Sequence, residues 1–184
     1  NTFDIDIYAN SAFHIERINQ ADWISLTCGE TEDGKGAITA ECEFNEGFKR
    51  KAGFVLCSDV DARRDTVYVK QKALVDAKIE FANSSVIVAG AGGENISPIE
   101  TNIPFSEITV DIEYAKADNA DWIESLEIVD SESEKRSLSI TTEANAADEI
   151  PRSATVSLSF TDGWDETVSV EFNLLQRTAK ETLG

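Results

Sequence analysis

The chain has 184 residues, with 35 Asp and Glu against 16 Lys and Arg, a single histidine and a formal net charge of −19. That charge excludes a protein that grips nucleic acid by neutralising phosphates, which needs clustered cations, and one imidazole argues against a multi-histidine zinc site or a Ser-His-Asp triad. Hydrophobic residues at 41% and charged residues at 28% are ordinary globular usage, so the acidity sits on a folded body, and no apolar run reaches the roughly 20 residues of a membrane span.

Taken in chain order, apolar residues alternate at period two in Phe3, Ile5 and Ile7, then in Ile38, Ala40, Cys42 and Phe44, and again in Ala52, Phe54 and Leu56. The pattern returns at Val67 and Val69, at Ile79 and Phe81, and at Ile108, Val110, Ile112 and Tyr114. It recurs at Leu138 and Ile140, across residues 154–160 and across residues 168–174. Each such run predicts a strand with one buried face. Between them lie turn clusters at residues 32–36, 45–47, 90–95 and 161–163, rich in Gly, Asn and Asp. The nearest approach to a helical repeat, Phe13, Ile15 and Ile18, is too short to make one. The expectation is an all-β chain of immunoglobulin-like antiparallel β-sandwich units.

Three cysteines, Cys28, Cys42 and Cys57, form an odd set without CxxC spacing, which signals neither a zinc knuckle nor a paired framework, although one bridge remains open. Cys42 shares a face with Ile38 and Ala40, whereas Cys57 is out of phase with Phe54 and Leu56, so one core thiol and two incidental ones are expected. The chain starts at Asn1 with no basic or apolar leader, as expected of an exported protein whose signal has been removed.

The sequence also repeats. Asp22-Trp23-Ile24 and Asp121-Trp122-Ile123 each follow an alanine, Ala21 or Ala120, and precede a leucine, Leu26 or Leu126. Downstream, Arg50, Ala52, Phe54 and Leu56 match Arg152, Ala154, Val156 and Leu158, and each copy closes on an alternating strand ending in Gln71 or Gln176. Upstream, Tyr8 is matched with Tyr114, leaving a longer loop before Trp23 and placing the counterpart of residues 78–106 ahead of Asn1. Alternation lapses over residues 72–77, so the boundary is set near Asp76, giving units 1–76, with its N-terminal strands truncated, and 77–184. Trp23 and Trp122 are expected to be equivalent core anchors.

The Trp-Ile opening, the turn asparagines Asn45 and Asn145, the Arg-x-Ala strand and the closing Gln together resemble the BACON domain, the Bacteroidetes-associated carbohydrate-binding often N-terminal module. The second copy departs from the first in a longer turn, without glycine, between Asn145 and Arg152. The resemblance implies tandem immunoglobulin-like sandwiches in a secreted or surface-attached lipoprotein or other exported protein, often beside glycan-degrading enzymes. Two roles follow from it: a non-catalytic module for glycan binding or cell adhesion, with polysaccharide or a surface protein as partner, or a spacer holding another domain away from the cell surface.

Trp164 stands apart, in a turn between two strands with no counterpart in the first copy. Its ring could stack on a sugar while Asp162, Asp165 and Glu166 accept hydroxyl protons, or it could fold back as a hairpin plug or cover the domain junction. Residues 84–93 imitate a strand entering a dinucleotide fingerprint, but Asn95 replaces the third glycine and Pro98 breaks the helix that would hold pyrophosphate. Asp59, Asp61 and Asp65, like Asp162, Asp165 and Glu166, could converge on calcium, yet neither run has EF-hand spacing and both read as solvated turns. His14, flanked by Phe13 and Ile15, is expected to be exposed. No cofactor, metal or catalytic residue is expected, since glycoside hydrolysis needs a cleft and small sandwiches offer little room for one.

Overall fold

A computed structural model describes residues 1–9, 11–116, 121–130, 136–146 and 150–178; Ala120 and part of the longer turn before Arg152 lie outside them. The described residues are all-β apart from one 3-10 turn at Phe105–Glu107. They fall into two compact units, one of Asn1–Asp76 with Asp162–Asp165, the other of Ala77–Thr161 with the chain from Glu166.

The first unit holds β1 (Thr2–Tyr8), β2 (Phe13–Arg17), β3 (Ile24–Cys28), β4 (Lys35–Cys42), β5 (Arg50–Ser58) and β6 (Arg64–Gln71). They form two antiparallel sheets, ordered β1-β4-β3 and β2-β5-β6. Asp33 and Gly34 take positive φ angles of 49° and 75° and link β3 to β4 as a two-residue turn closed by the Glu32–Lys35 bridge. That is the backbone an Asp-Gly pair is suited to supply. Ile24, Ala40, Ala52, Phe54 and Val69 meet between the sheets, with Ile5, Ile15, Trp23 and Leu26 packed partly against them.

The second unit holds β7 (Ile79–Glu80), β8 (Ser85–Val88), β9 (Gly93–Thr101), β10 (Thr109–Tyr114), β11 (Ile123–Asp130), β12 (Arg136–Thr142), β13 (Arg152–Thr161) and β14 (Thr167–Gln176). Its sheets are ordered β10-β13-β14-β8 and β11-β12-β9-β7. All their ladders are antiparallel except that between β8 and β14. Trp122, Leu138, Ile140, Val156, Leu158, Phe172 and Leu174 are fully buried between them. The segment that imitates a dinucleotide fingerprint is β8, a glycine turn and β9.

The topology corrects the register that matched Tyr8 with Tyr114. β1 lies beside β4 as β9 lies beside β12, whereas β2 lies beside β5 as β10 lies beside β13. The amides of Glu43 and Glu143 donate to the carbonyls of Trp23 and Trp122, which fixes Glu41 as the match of Thr141; their partners Thr2 and Glu94 then coincide. The supposed long loop before Trp23 contains β2, and the part of the second unit with no counterpart ends near residue 92 instead of 106. Period-two alternation marks a strand but not its sheet, which is why the mismatch was possible.

Candidate functional site

The repeated motif residues converge on one polar network in each unit. In the first, Arg50 Cζ stands 4.5 Å over the Trp23 ring, and in the second Arg152 Cζ stands 4.9 Å over Trp122. Arg50 Nε donates to Gln71 Oε1 at 2.7 Å, and Arg152 Nε to Gln176 Oε1 at 2.6 Å. Asn45 Nδ2 ties the carbonyls of Phe48 and Lys72, and Asn145 Nδ2 those of Ile150 and Arg177. Each Arg-Gln pair also reaches a glutamate carbonyl, Glu43 or Glu143, at the end of the middle strand. These side chains satisfy backbone groups where strands end, so their work is structural.

The two tryptophans are not buried alike. Trp122 is 1% exposed, meets Tyr114 edge-on at 5.9 Å, and keeps its indole N–H buried without a hydrogen bond. Trp23 is half-buried.

Trp164 is also half-buried, within the residues that belong to the first unit. Lys49 and Lys70 place their Nζ atoms 5.5 and 5.3 Å from its ring centroid, and its indole N–H is buried with no partner. Gly163 donates to the Lys49 carbonyl at 2.8 Å, and a Cβ there would stand 2.6 Å from the Arg50 Cα, so only glycine fits. Asp162 accepts from the Trp164 amide at 2.8 Å and stands 3.9 Å from Lys49 Nζ. Asp165, at φ 67°, meets Lys51 Nζ at 2.6 Å, a bond that holds its carboxyl below the usual carboxylate range. Glu166 groups with the second unit and is exposed. Three of the four predicted site residues thus converge, but on lysines, with the ring covered by ammonium groups in the manner of cation–π contacts.

A cleft of about 610 Å³ opens instead in the first unit, where the ends of β1 and β5 and the starts of β2 and β6 part. Its walls carry Asp6, Tyr8, Phe13, Asp61, Arg63 and Asp65. The cleft gives more room than the little expected of so small a sandwich. Tyr8 is 81% exposed. Asp61 takes hydrogen bonds from Ser58 and the Arg63 amide, which lower its pKa. Glycoside hydrolysis needs a carboxyl raised enough to stay protonated as the acid, and Asp61 is moved the other way. The sequence singled out Asp61 and Asp65 only as a calcium candidate, and the signal for this site was Tyr8 ending a strand ahead of a polar turn.

Beside the cleft, His14 Nδ1 meets Asp59 Oδ1 at 2.5 Å, and this bond raises the imidazole pKa. His14 is exposed, as expected. His14, Glu16 and Cys57 bring possible ligand atoms within 4.8 Å of one another. Glu16 is already paired with Arg64, and His14 with Asp59, so each ligand has a protein partner. Cys42 and Cys57 are both buried and only Cys28 is exposed, and all three are free thiols. Cys57 thus corrects the expectation of one core thiol: its cross-strand neighbour on β2 is His14.

No family model and no curated protein matches the chain. Solved structures do. An endo-fucoidan hydrolase of glycoside hydrolase family 107 matches over 97% of this chain and 26% of its own at 12% identity and a TM-score of 0.30. The first four extracellular cadherin domains of protocadherin gamma B7 match over 90% of this chain and 41% of their own, at 10% identity and a TM-score of 0.39. Protocadherin gamma C5, domains one to three, matches over 90% and 55%, at 9% and 0.36. The chain thus spans between about a quarter and just over half of the chains it matches.

Proposed function

We propose that this chain is a non-catalytic, exported module of the BACON type that binds polysaccharide in the first-unit cleft beside Tyr8, as an accessory for adhesion or glycan capture. The observation that supports this is the exposed Tyr8 ring on an open cleft whose walls offer both carboxylates and guanidinium groups. A tyrosine face packs against the C–H side of a pyranose, while carboxylates accept hydroxyl protons and arginines donate to hydroxyl and ring oxygens. Trp164 has its ring covered by lysines and does not offer such a face.

A single ring and a shallow polar wall give weak affinity, in the millimolar range or about 4 kcal/mol. Calorimetric titration with soluble plant and host oligosaccharides tests the reading. Saturable binding that Tyr8→Ala abolishes and Trp164→Ala leaves intact is the expected result. Loss in Trp164→Ala alone returns the contact to the Asp162–Asp165 turn. A flat response in the unaltered chain favours the spacer role, which the inward-facing motif network also suits.

A further inference from the structure

Polar side chains of the first unit gather on the outer face of the β2-β5-β6 sheet, away from the core. β2 pairs with β5 so that His14 stands directly opposite Cys57, and β5 pairs with β6 so that Cys57 stands opposite Arg64. Glu16, two residues along β2, shares the face of His14, because successive side chains of a strand alternate. Phe54 belongs to the core, which turns Cys57, three residues on, to the other side of the sheet. Cys57 is nevertheless only 6% exposed there, in the row between His14 and Arg64. A thiol, an imidazole and a carboxylate thus meet, with their donor atoms within 4.8 Å of one another.

The way the imidazole is held goes beyond proximity. Asp59 lies just past the end of β5, and its amide donates to the Ala12 carbonyl at 2.9 Å, which keeps its carboxylate beside β2. That carboxylate meets His14 Nδ1 at 2.5 Å. A carboxylate accepts, so Nδ1 carries the ring proton of the neutral imidazole and the lone pair is left on Nε2. Nε2 faces Glu16 Oε1 at 3.7 Å. Both atoms are then acceptors with no hydrogen bond to share. Donor atoms about 3.3–3.8 Å apart are what a tetrahedral ion with bonds of about 2.0–2.3 Å requires. A carboxylate on the other ring nitrogen is also how a metal-bound imidazole is fixed and oriented.

We propose that His14 Nε2, Glu16 and Cys57 form a binding site for a borderline divalent transition-metal ion of the zinc type, with Asp59 as the positioning residue that holds the imidazole. The donor set decides the class, because nitrogen and sulfur ligands disfavour calcium and magnesium, which take oxygen. Thiolate and carboxylate balance the two charges of the ion. To close on it the donor atoms draw together by about 1 Å, a side-chain rotation for His14 and Glu16, whose side chains are 53% and 50% exposed. Cys57 releases its proton to solvent and gives up a 3.9 Å bond to the Val55 carbonyl. Glu16 exchanges Arg64 for the ion, and an exposed pair of that kind contributes little in water. Three protein ligands leave a fourth position for water or another oxygen donor. The site stands beside the cleft, whose wall includes Cys57 and Arg64, and does not depend on what the cleft binds.

The probe is cobalt(II), a spectroscopic stand-in for zinc, titrated under reducing conditions into the full chain after treatment with a chelator and its removal. A one-to-one endpoint with sulfur-to-cobalt charge-transfer absorption is expected, reversed by zinc and untouched by excess calcium or magnesium. The absorption survives in Cys28→Ser and is lost in Cys57→Ser. His14→Gln, at an exposed position, weakens binding by more than about 100-fold, beyond the loss of about 10- to 100-fold in Asp59→Asn. Because His14 is the single histidine, its ring-nitrogen NMR signals report which atom binds when zinc is added, and Nε2 is expected. Should Cys57→Ser fail to fold, those signals and His14→Gln decide the matter. No charge-transfer band in the unaltered chain, a band that Cys57→Ser keeps, or ligation through Nδ1 overturns the proposal, and undiminished affinity in Asp59→Asn overturns the role of Asp59.

Discussion

In the first unit the tryptophan and glutamine of the repeated motif are only half-buried, whereas in the second the same two are sealed; the asparagine is buried and the arginine half-buried in both. Trp23 and Gln71 are half-buried where Trp122 and Gln176 are 1% and 0% exposed. The bonds within the two networks are nearly the same, so the difference does not arise from the motif. It arises from β8 and the glycine turn after it, which lie against β14 and the end of β12 in the second unit and have no counterpart among the strands of the first. A motif can thus fix geometry without fixing burial, and burial sets most of what each side chain contributes to stability.

The largest test of this contrast is Trp122→Ala, which should lower the second unit's stability by about 3–5 kcal/mol through the cavity it leaves. Trp23→Ala should cost the first unit only about 1–3 kcal/mol, because part of that ring already faces water. Denaturant melts of the full chain read both, and equal losses would erase the distinction. Gly92→Ala comes next. With φ at 74° and backbone atoms 2.6–2.7 Å from the new methyl, it should cost the second unit about 1–3 kcal/mol and leave the first untouched.

Smaller again is the glutamine pair. Gln176→Ala strands buried carbonyls and should cost about 2 kcal/mol, against less than about 1 kcal/mol for Gln71→Ala, whose acceptor can turn to water. The reverse order would contradict the difference in burial between the two glutamines.

The slightest effects are those of pH, and both belong to the first unit. Asp165 is held below the usual carboxylate range by Lys51, so its contribution is complete above the unfolded value and fades as pH falls through the lower folded one. Lys51→Ala should remove that acid-side dependence. His14 is raised by Asp59, so its contribution is complete below the ordinary imidazole value and is lost as pH rises through the raised one. An NMR titration midpoint for His14 at or below 6.5 would contradict the Asp59 bond.

Much of the fold could be read from residue order. Period-two alternation located most of the strands but not β2, β3, β9 or β11, the cluster at residues 32–36 marked a turn, and the spacing from Trp to Arg to Gln exposed the internal repeat. The proposed binding site was less legible. Polar neighbours in sequence left Trp164 readable as a solvent-facing platform or as a ring folded back, and what decides its surroundings, Lys49 and Lys70, lies more than 90 positions away. Tyr8 carried only the weak signal of an aromatic ending a strand, and its cleft is assembled from four strand ends no sequence window contains together.

The sequence by itself determined that this chain is all-β and that Trp23 and Trp122 head matching strands, because those facts follow from local periodicity and spacing. Tertiary structure alone decided that β1 belongs beside β4 and β2 beside β5, since alternation buries one face of a strand equally well in either sheet. It also decided that β8 lies parallel to β14 at the edge of its sheet, because strand addition is a contact between backbones, which every sequence carries alike.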